Sequence, residues 1–462
     1  MNQLDPDESA TARLPGRVPH SLSRGRVFRY EGWAADAERG ILTCRYSVDG
    51  REFAERVRLV PGPRWDTDAA QAAARLVFLL AGVSYYKTAA PPVIGLGQTA
   101  LTEAELAFLR DFYLQGLGEF AYRNNLDLSG LRIEARLADA PQTAEPAADR
   151  QRALVPFGGG IDSIVTVERV RQRADAALFV VSRPDDRFAA IEQPAAVTGL
   201  PVVRAEREID PLLLRSAELG FLNGHVPVTG ILSAIAVLAA VLGDRDAVIM
   251  SNEWSASVPT LQYQGRPENH QYSKSADFEA AFRGVLNGNP QYFSWLRDRT
   301  ELWVGREFAA LEQYHGSFRS CNKAFYAERA RRLDHWCGEC DKCCFIDLIL
   351  APFMPAEALR RIFTPSGEPL DDPELAPKFR ALVGAGAKPF ECVGEVSECR
   401  AAVLLAARRA DRTGCLLLQD LAVQVASWPD APSAADAAAM LAPTGNEPGN
   451  EQGANFIPAG YQ

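Results

Sequence analysis

One stretch constrains this chain more than any other: Gly158-Gly159-Gly160-Ile161-Asp162-Ser163, set between the apolar run 153–157 and a helix-patterned segment from Ile164. Three successive glycines let the backbone take positive φ and turn its N–H groups into a concave nest open to an anion. Asp162 or Ser163 is expected to cap the helix. Val165, Val167 and Val170 give that helix a buried side and Glu168, Arg169 and Arg171 a wet one, while its N-terminal dipole adds to the attraction for phosphate. Strand, glycine loop and helix together read as a nucleotide site. The loop lacks the Lys-Ser/Thr ending of a Walker A and the spacing of a dinucleotide fingerprint, which argues against a GTPase or a dehydrogenase.

The 462 residues are enough for two or three domains, each with its own core. A net charge of −10 provides no general field for a nucleic-acid backbone, so no nucleic-acid partner is expected. The polar, acidic segment 1–10 has no apolar h-region, and the apolar helix expected over 228–242 falls short of the roughly 20 residues that span a bilayer. The expectation is a cytoplasmic protein with no membrane partner.

The expected fold class is α/β, a doubly wound parallel sheet flanked by an N-terminal α+β domain and a C-terminal helical region. Runs 26–30, 41–48 and 51–59, separated by Gly40 and the Asp49-Gly50 turn, predict a small antiparallel sheet, and 67–80 and 103–123 predict helices. These make a separate domain over 1–140, with 138–148 as linker. Strands at 153–157, 177–182, 201–206 and 247–251 alternate with helices at 163–173, 187–198 and 228–242, placing the parallel sheet within a nucleotide domain over 150–350. Ligands of such sheets sit beyond the carboxyl ends of the strands, where the glycine loop and Ser251-Asn252-Glu253 both fall. Helices at 356–362, 400–409 and 416–427 make a helical region over 351–440, and 441–462 is polar and glycine-rich enough to be expected disordered.

Nine cysteines without an export signal suggest metal or catalytic thiols before disulfides. Cys337, Cys340 and Cys343 have the spacing to wrap one metal, with Cys321 upstream as fourth ligand, whereas Cys344 is expected to be a buried thiol. Spacing alone leaves open structural Zn²⁺ or an iron–sulfur cluster, and the missing C-x-x-x-C-P continuation favours zinc.

The glycine loop resembles the S-G-G-x-D-S signature of the PP-loop ATP pyrophosphatases, with Gly158 where that signature carries serine. Such enzymes cleave ATP to AMP and pyrophosphate and use the AMP to activate a carbonyl or carboxylate. The loop followed by Cys321 and C-x-x-C-x-x-C resembles the 7-cyano-7-deazaguanine synthases, and tRNA-thiolating enzymes are a further PP-loop possibility. A wider set of blocks resembles the ATP-dependent UDP-N-acetyl-alpha-D-muramoyl-L-alanyl-L-glutamate epimerases of peptidoglycan biosynthesis. It comprises 157–163, 222–227, 251–257, 269–275, 320–322, the cysteine triplet and 388–395, and covers most of 150–400. The resemblance implies the adenine nucleotide alpha hydrolase-like fold, ATP and Mg²⁺ at residues 158–163, and UDP-muramoyl-dipeptide as substrate.

That chemistry has a physical reason. A peptide-linked glutamate cannot form a Schiff base, because its nitrogen is already an amide. Its Cα–H is barely acidic while the neighbouring carboxylate is ionised, and adenylation removes that charge so that a modest base can take the proton. Candidate catalytic residues are Lys274, for the α-phosphate or the developing oxyanion; Glu253, for Mg²⁺ or as base; His270 and His225; and Cys392, as a thiolate base. The arginines Arg13, Arg17, Arg24, Arg26 and Arg29 are candidates for the uridine diphosphate end.

Overall fold

A computed structural model describes residues 24–139, 150–442 and 455–461, apart from 287, 289 and 327. Its strands are β1 (Val27–Asp36), β2 (Ile41–Val48), β3 (Arg51–Arg58), β4 (Val93–Leu101), β5 (Arg132–Leu137), β6 (Arg152–Pro156), β7 (Asp175–Ser182), β8 (Val202–Glu208), β9 (Ala247–Met250), β10 (Leu261–Tyr263), β11 (Arg266–Glu268) and β12 (Gln291–Ser294). Ten of them form one sheet in the order β12-β9-β6-β7-β8-β3-β2-β1-β4-β5, and β10 and β11 make a separate hairpin. From β12 to β8 every neighbour is parallel. The chain is thus α/β around a large, mostly parallel sheet.

The apolar runs of the central strands follow from burial on both faces. Ala153 and Val155 of β6, Leu178 of β7 and Ile249 of β9 enter one core; Leu154, Phe179 and Val248 enter the other. Helices Ile161–Val170, Glu301–Ala309 and Asp341–Leu350 cover the first face. Asp68–Ala81 and Val228–Leu242 cover the second. Among the described residues one helical run, Asp68–Tyr86, is long and apolar enough to cross a membrane, but 78% of its most apolar 18-residue window is buried inside the protein.

The small sheet expected to stand apart over 1–140 instead continues the main one. Arg56, Val57 and Arg58 of β3 pair antiparallel with Glu208, Arg207 and Glu206 of β8. An ion pair seals this seam: Glu55, wholly buried, accepts from Arg207 Nε at 2.8 Å and from the Tyr85 hydroxyl at 2.9 Å. The charged character of both partner strands hid the pairing from a hydrophobic reading. The helix expected over 103–123 breaks at Leu117 into Glu103–Gly116 and Gly118–Asn124. Glycines flank the break because a Cβ on Gly116 would lie 2.6 Å from Pro227 Cγ, and one on Gly118 would overlap Glu268.

Arg24 is committed to the fold, donating to the carbonyls of Ala90 at 2.6 Å and Asp127 at 2.8 Å. Arg13, Arg17 and residues 140–148 of the expected linker lie outside the described residues, as do 149, 443–454 and 462. The disorder expected throughout 441–462 does not hold for 455–461. Trp295 Nε1 donates to the Tyr461 carbonyl at 3.2 Å, the Tyr461 ring sits 5.3 Å from Phe293, and Arg283 lies over Phe456. Two aromatics and Ile457 give these residues apolar surface to bury, which the Gly- and Asn-rich stretch before them lacks.

Candidate active site

The glycine loop joins β6 to helix Ile161–Val170, with Gly160 at the N-cap. Gly159 has φ +77°, and a Cβ there would lie 2.2 Å from the Ala190 carbonyl oxygen, so only glycine fits. Around Gly158 the space is open: a Cβ would meet nothing within 4 Å. The expected cap by Asp162 or Ser163 is absent. Ser163 Oγ donates back to the Gly160 carbonyl at 3.0 Å, and Asp162 turns toward other carboxylates.

Asp162, Glu253 from the loop after β9, and Glu301 from the first turn of Glu301–Ala309 bring carboxylate oxygens within 4.8 Å of one another. Asp162 Oδ1 and Glu301 Oε2 are buried with no hydrogen-bond partner among the described residues. Burial and the Glu253 charge push Asp162 up to about 7, and burial and the Asp162 charge hold Glu301 well above the carboxylate range. Three crowded carboxyls with unused oxygens have the donor set of a hard divalent cation, which takes oxygen ligands. Glu398 stands behind them, accepting from the Glu301 amide at 2.8 Å.

Beside this cluster sits Cys392. Lys274 Nζ lies 3.4 Å from its Sγ, and His270 bonds it from another side. Burial pushes the thiol up, but the Lys274 charge and the His270 bond outweigh it and bring the thiol down to about 6. Burial likewise pulls His270 down, and its bonds to Cys392 and to the Glu119 carboxylate raise it to about 9. His225 lies 4.5 Å from His270, ring centre to ring centre. Burial and the neighbouring His270 charge drop it to about 4, so at neutral pH His225 is uncharged and His270 charged. The fields of Cys392 and Lys274 reach Asp162, so carboxylates and thiol share one site.

Arg297, 1% exposed, ties the segments together. Its guanidinium grips Glu279 Oε2 at 2.8 and 3.0 Å, and donates to the carbonyls of Glu253 at 3.0 Å and Lys274 at 2.7 Å. Glu119, Arg297 and Glu301 were not among the residues the sequence singled out. They lie on separate elements with no local signature, and only the packing unites them.

The expected cysteine quartet also converges. Cys321, Cys337, Cys340 and Cys343 have Sγ atoms within 4.8 Å of one another, with Cys337 and Cys343 at 3.7 Å and Cys340 and Cys343 at 3.4 Å. A tetrahedral zinc thiolate, with Zn–S near 2.3 Å, has S···S edges of about 3.8 Å. A cuboidal cluster, each of whose cysteines binds a different iron, needs the sulfurs farther apart. Cys344 is fully buried beside the quartet and takes no part in it.

The chain matches the MurL N-terminal domain over residues 20–295 and the MurL C-terminal domain over 317–436. It is 41% identical over 406 residues to the UDP-N-acetyl-alpha-D-muramoyl-L-alanyl-L-glutamate epimerase of Xanthomonas oryzae pv. oryzae, covering 85% of this chain and 87% of that protein. The enzyme of the same name from Salinispora tropica is 39% identical over 83% of this chain and 85% of its own length. No solved structure matches. Both halves of the sheet fall inside the first match and the cysteine quartet inside the second, and on that footing the chain belongs to the MurL family.

Proposed function

We propose that this protein epimerises the terminal L-glutamate of UDP-N-acetylmuramoyl-L-alanyl-L-glutamate to D-glutamate, activating the glutamate carboxylate with ATP and moving the Cα proton through Cys392. The observation that carries the reading is the placement of the Cys392 thiol, 3.4 Å from Lys274 Nζ and beside a carboxylate cluster at the end of a glycine loop, where Lys274 and His270 favour the thiolate. The names of the relatives, at about 40% identity, supply the substrate.

In this reading the backbone N–H groups of 158–160 and the helix N-terminus hold the ATP phosphates. Asp162, Glu253 and Glu301 hold Mg²⁺, whose charge would offset both their crowding and that of the phosphates. The substrate carboxylate attacks the α-phosphorus and pyrophosphate leaves. With its carboxylate masked as the adenylate, the Cα–H gives its proton to the Cys392 thiolate, and Lys274 stabilises the enolate oxygen. A solvent-derived proton delivered to the opposite face of the enolate, followed by hydrolysis of the adenylate, releases the D-epimer and AMP, and the Cys392 thiol returns its proton to solvent. The four cysteines hold a structural Zn²⁺ in this assignment.

The test is isotopic. Protein with ATP, Mg²⁺ and the UDP-muramoyl-L-alanyl-L-glutamate substrate in D₂O should place deuterium at the glutamate Cα and release AMP and pyrophosphate. Cys392→Ala should lower deuterium incorporation by about 100-fold or more, the usual worth of a positioned base. AMP release with an untouched Cα–H would instead indicate attack at the carbonyl carbon, the chemistry of amide-forming and thiolating PP-loop enzymes.

A further inference from the structure

Cys392 sits in a stretch without regular structure, between Leu382 and helix Val396–Ala407. Two polar bonds to its immediate neighbourhood come from the cysteine quartet. Asn322, next to Cys321, donates from Nδ2 to Glu391 Oε1 at 2.9 Å. Lys342, between Cys340 and Cys343, donates from Nζ to the Cys392 carbonyl itself, with its ammonium 4.9 Å over the Phe345 ring. The two donors come from segments 20 residues apart in the chain, joined where Cys321 meets the other three thiols.

We infer that the four-cysteine centre is a clamp for the base: through Asn322 and Lys342 it holds the Cys392 segment in register with Lys274 and His270. The inference rests on the reading of Cys392 as base. A metal on the four sulfurs fixes Asn322 relative to Lys342, and these two residues carry that rigidity to the thiol. Neither is a ligand: Asn322 acts only through the peptide it holds, and Lys342 holds the Cys392 carbonyl while its charge also reaches the thiol and Asp162. Both are positioning residues. A displacement of about 1 Å at a reacting group costs on the order of 100-fold in rate, so a clamp of this kind bears on kcat and leaves nucleotide affinity alone.

The test uses the full chain with its metal. Asn322→Ala, Lys342→Met and the double variant are compared with the parent in three ways: metal content by elemental analysis, the rate at which iodoacetamide alkylates Cys392 as read by peptide mass spectrometry, and deuterium incorporation alongside KM for ATP. For Asn322→Ala the expected result is unchanged metal content and KM for ATP, several-fold altered alkylation at Cys392, and deuterium incorporation lower by about 10- to 100-fold; Lys342→Met and the double variant should keep their metal and deepen the last two effects. Asn322→Gln, which keeps the amide, should recover part of the loss. Stripping the metal from the parent protein with a chelator should alter Cys392 alkylation in the same direction. Parent-like alkylation in the double variant, or in the stripped protein, would overturn the clamp. Full deuterium incorporation by Cys392→Ala would remove the base assignment instead, while the alkylation measurements still report on the clamp.

Discussion

At Cys392 two opposing influences meet. Burial favours the thiol, the surrounding cations favour the thiolate, and the cations win. The sign of the pH dependence follows. Below about 6 the thiol keeps its proton and cannot accept another, whereas above about 9 His270 gives up the charge that stabilises the thiolate. kcat/KM should therefore rise through the first value and fall through the second, each an apparent constant of the coupled pair. His270→Gln should move the acid limb toward the ordinary thiol range near about 8.5. An acid limb that stayed in place would show that another group sets it. Cys392, Lys274 and His270 were legible because each stands in a distinctive block of sequence. Glu119, which orients His270, was not: it is a glutamate in the first turn of a short helix, and nothing around it in the chain distinguishes it from a solvated one.

Among the elements, β6, β7 and β9 and their helices could be read from the apolar runs, because burial on both faces leaves little but Ala, Val, Leu and Ile along them, whereas β12, the short strand parallel to β9, was not expected. Helix Val228–Leu242 occupies the residues its apolar run predicts. The polar seams were not legible. β3 and β8 meet through arginines and glutamates, and the loops bearing Glu253 and Lys274 are joined by an arginine that follows β12. That arginine makes a sharp stability prediction. Arg297→Met should cost about 3–5 kcal/mol in urea unfolding, since it strands the Glu279 carboxylate in the core. Adding Glu279→Leu should recover much of the stability, because an apolar pair tolerates burial, but not the activity, because the carbonyls of Glu253 and Lys274 still lose their donor. Equal loss in the single and double variants would mean that the pair is held by something other than its charges.

At the scale of the molecule, one of the two cores is shared between the two halves of the chain. Residues of β1 to β4 pack in one cluster with Val228–Leu242 and with β6, β7 and β9, so residues 24–139 complete a structure that begins after residue 150. Expressed alone, residues 24–139 should lack a cooperative thermal transition, and co-expression with 150–462 should restore a folded complex; a sharp transition from the fragment alone would contradict this. The sequence suggested two units here because the linker is rich in Ala, Pro and Asp, and a composition change marks a boundary in the chain without marking one in the core. At the other end, residues 455–461 lie against β12, the terminal strand of the sheet. A sheet's last strand is an adhesive margin, and cells shield such margins from one another. Laboratory handling of this protein inherits that concern: a construction ending at 442, or a fusion that pulls Phe456 and Tyr461 out of place, should convert a well-behaved preparation into one that self-associates with rising concentration, visible by light scattering. Purification handles therefore belong at the amino end, and a carboxyl-terminal tag that left scattering flat would show that the margin is guarded without those seven residues.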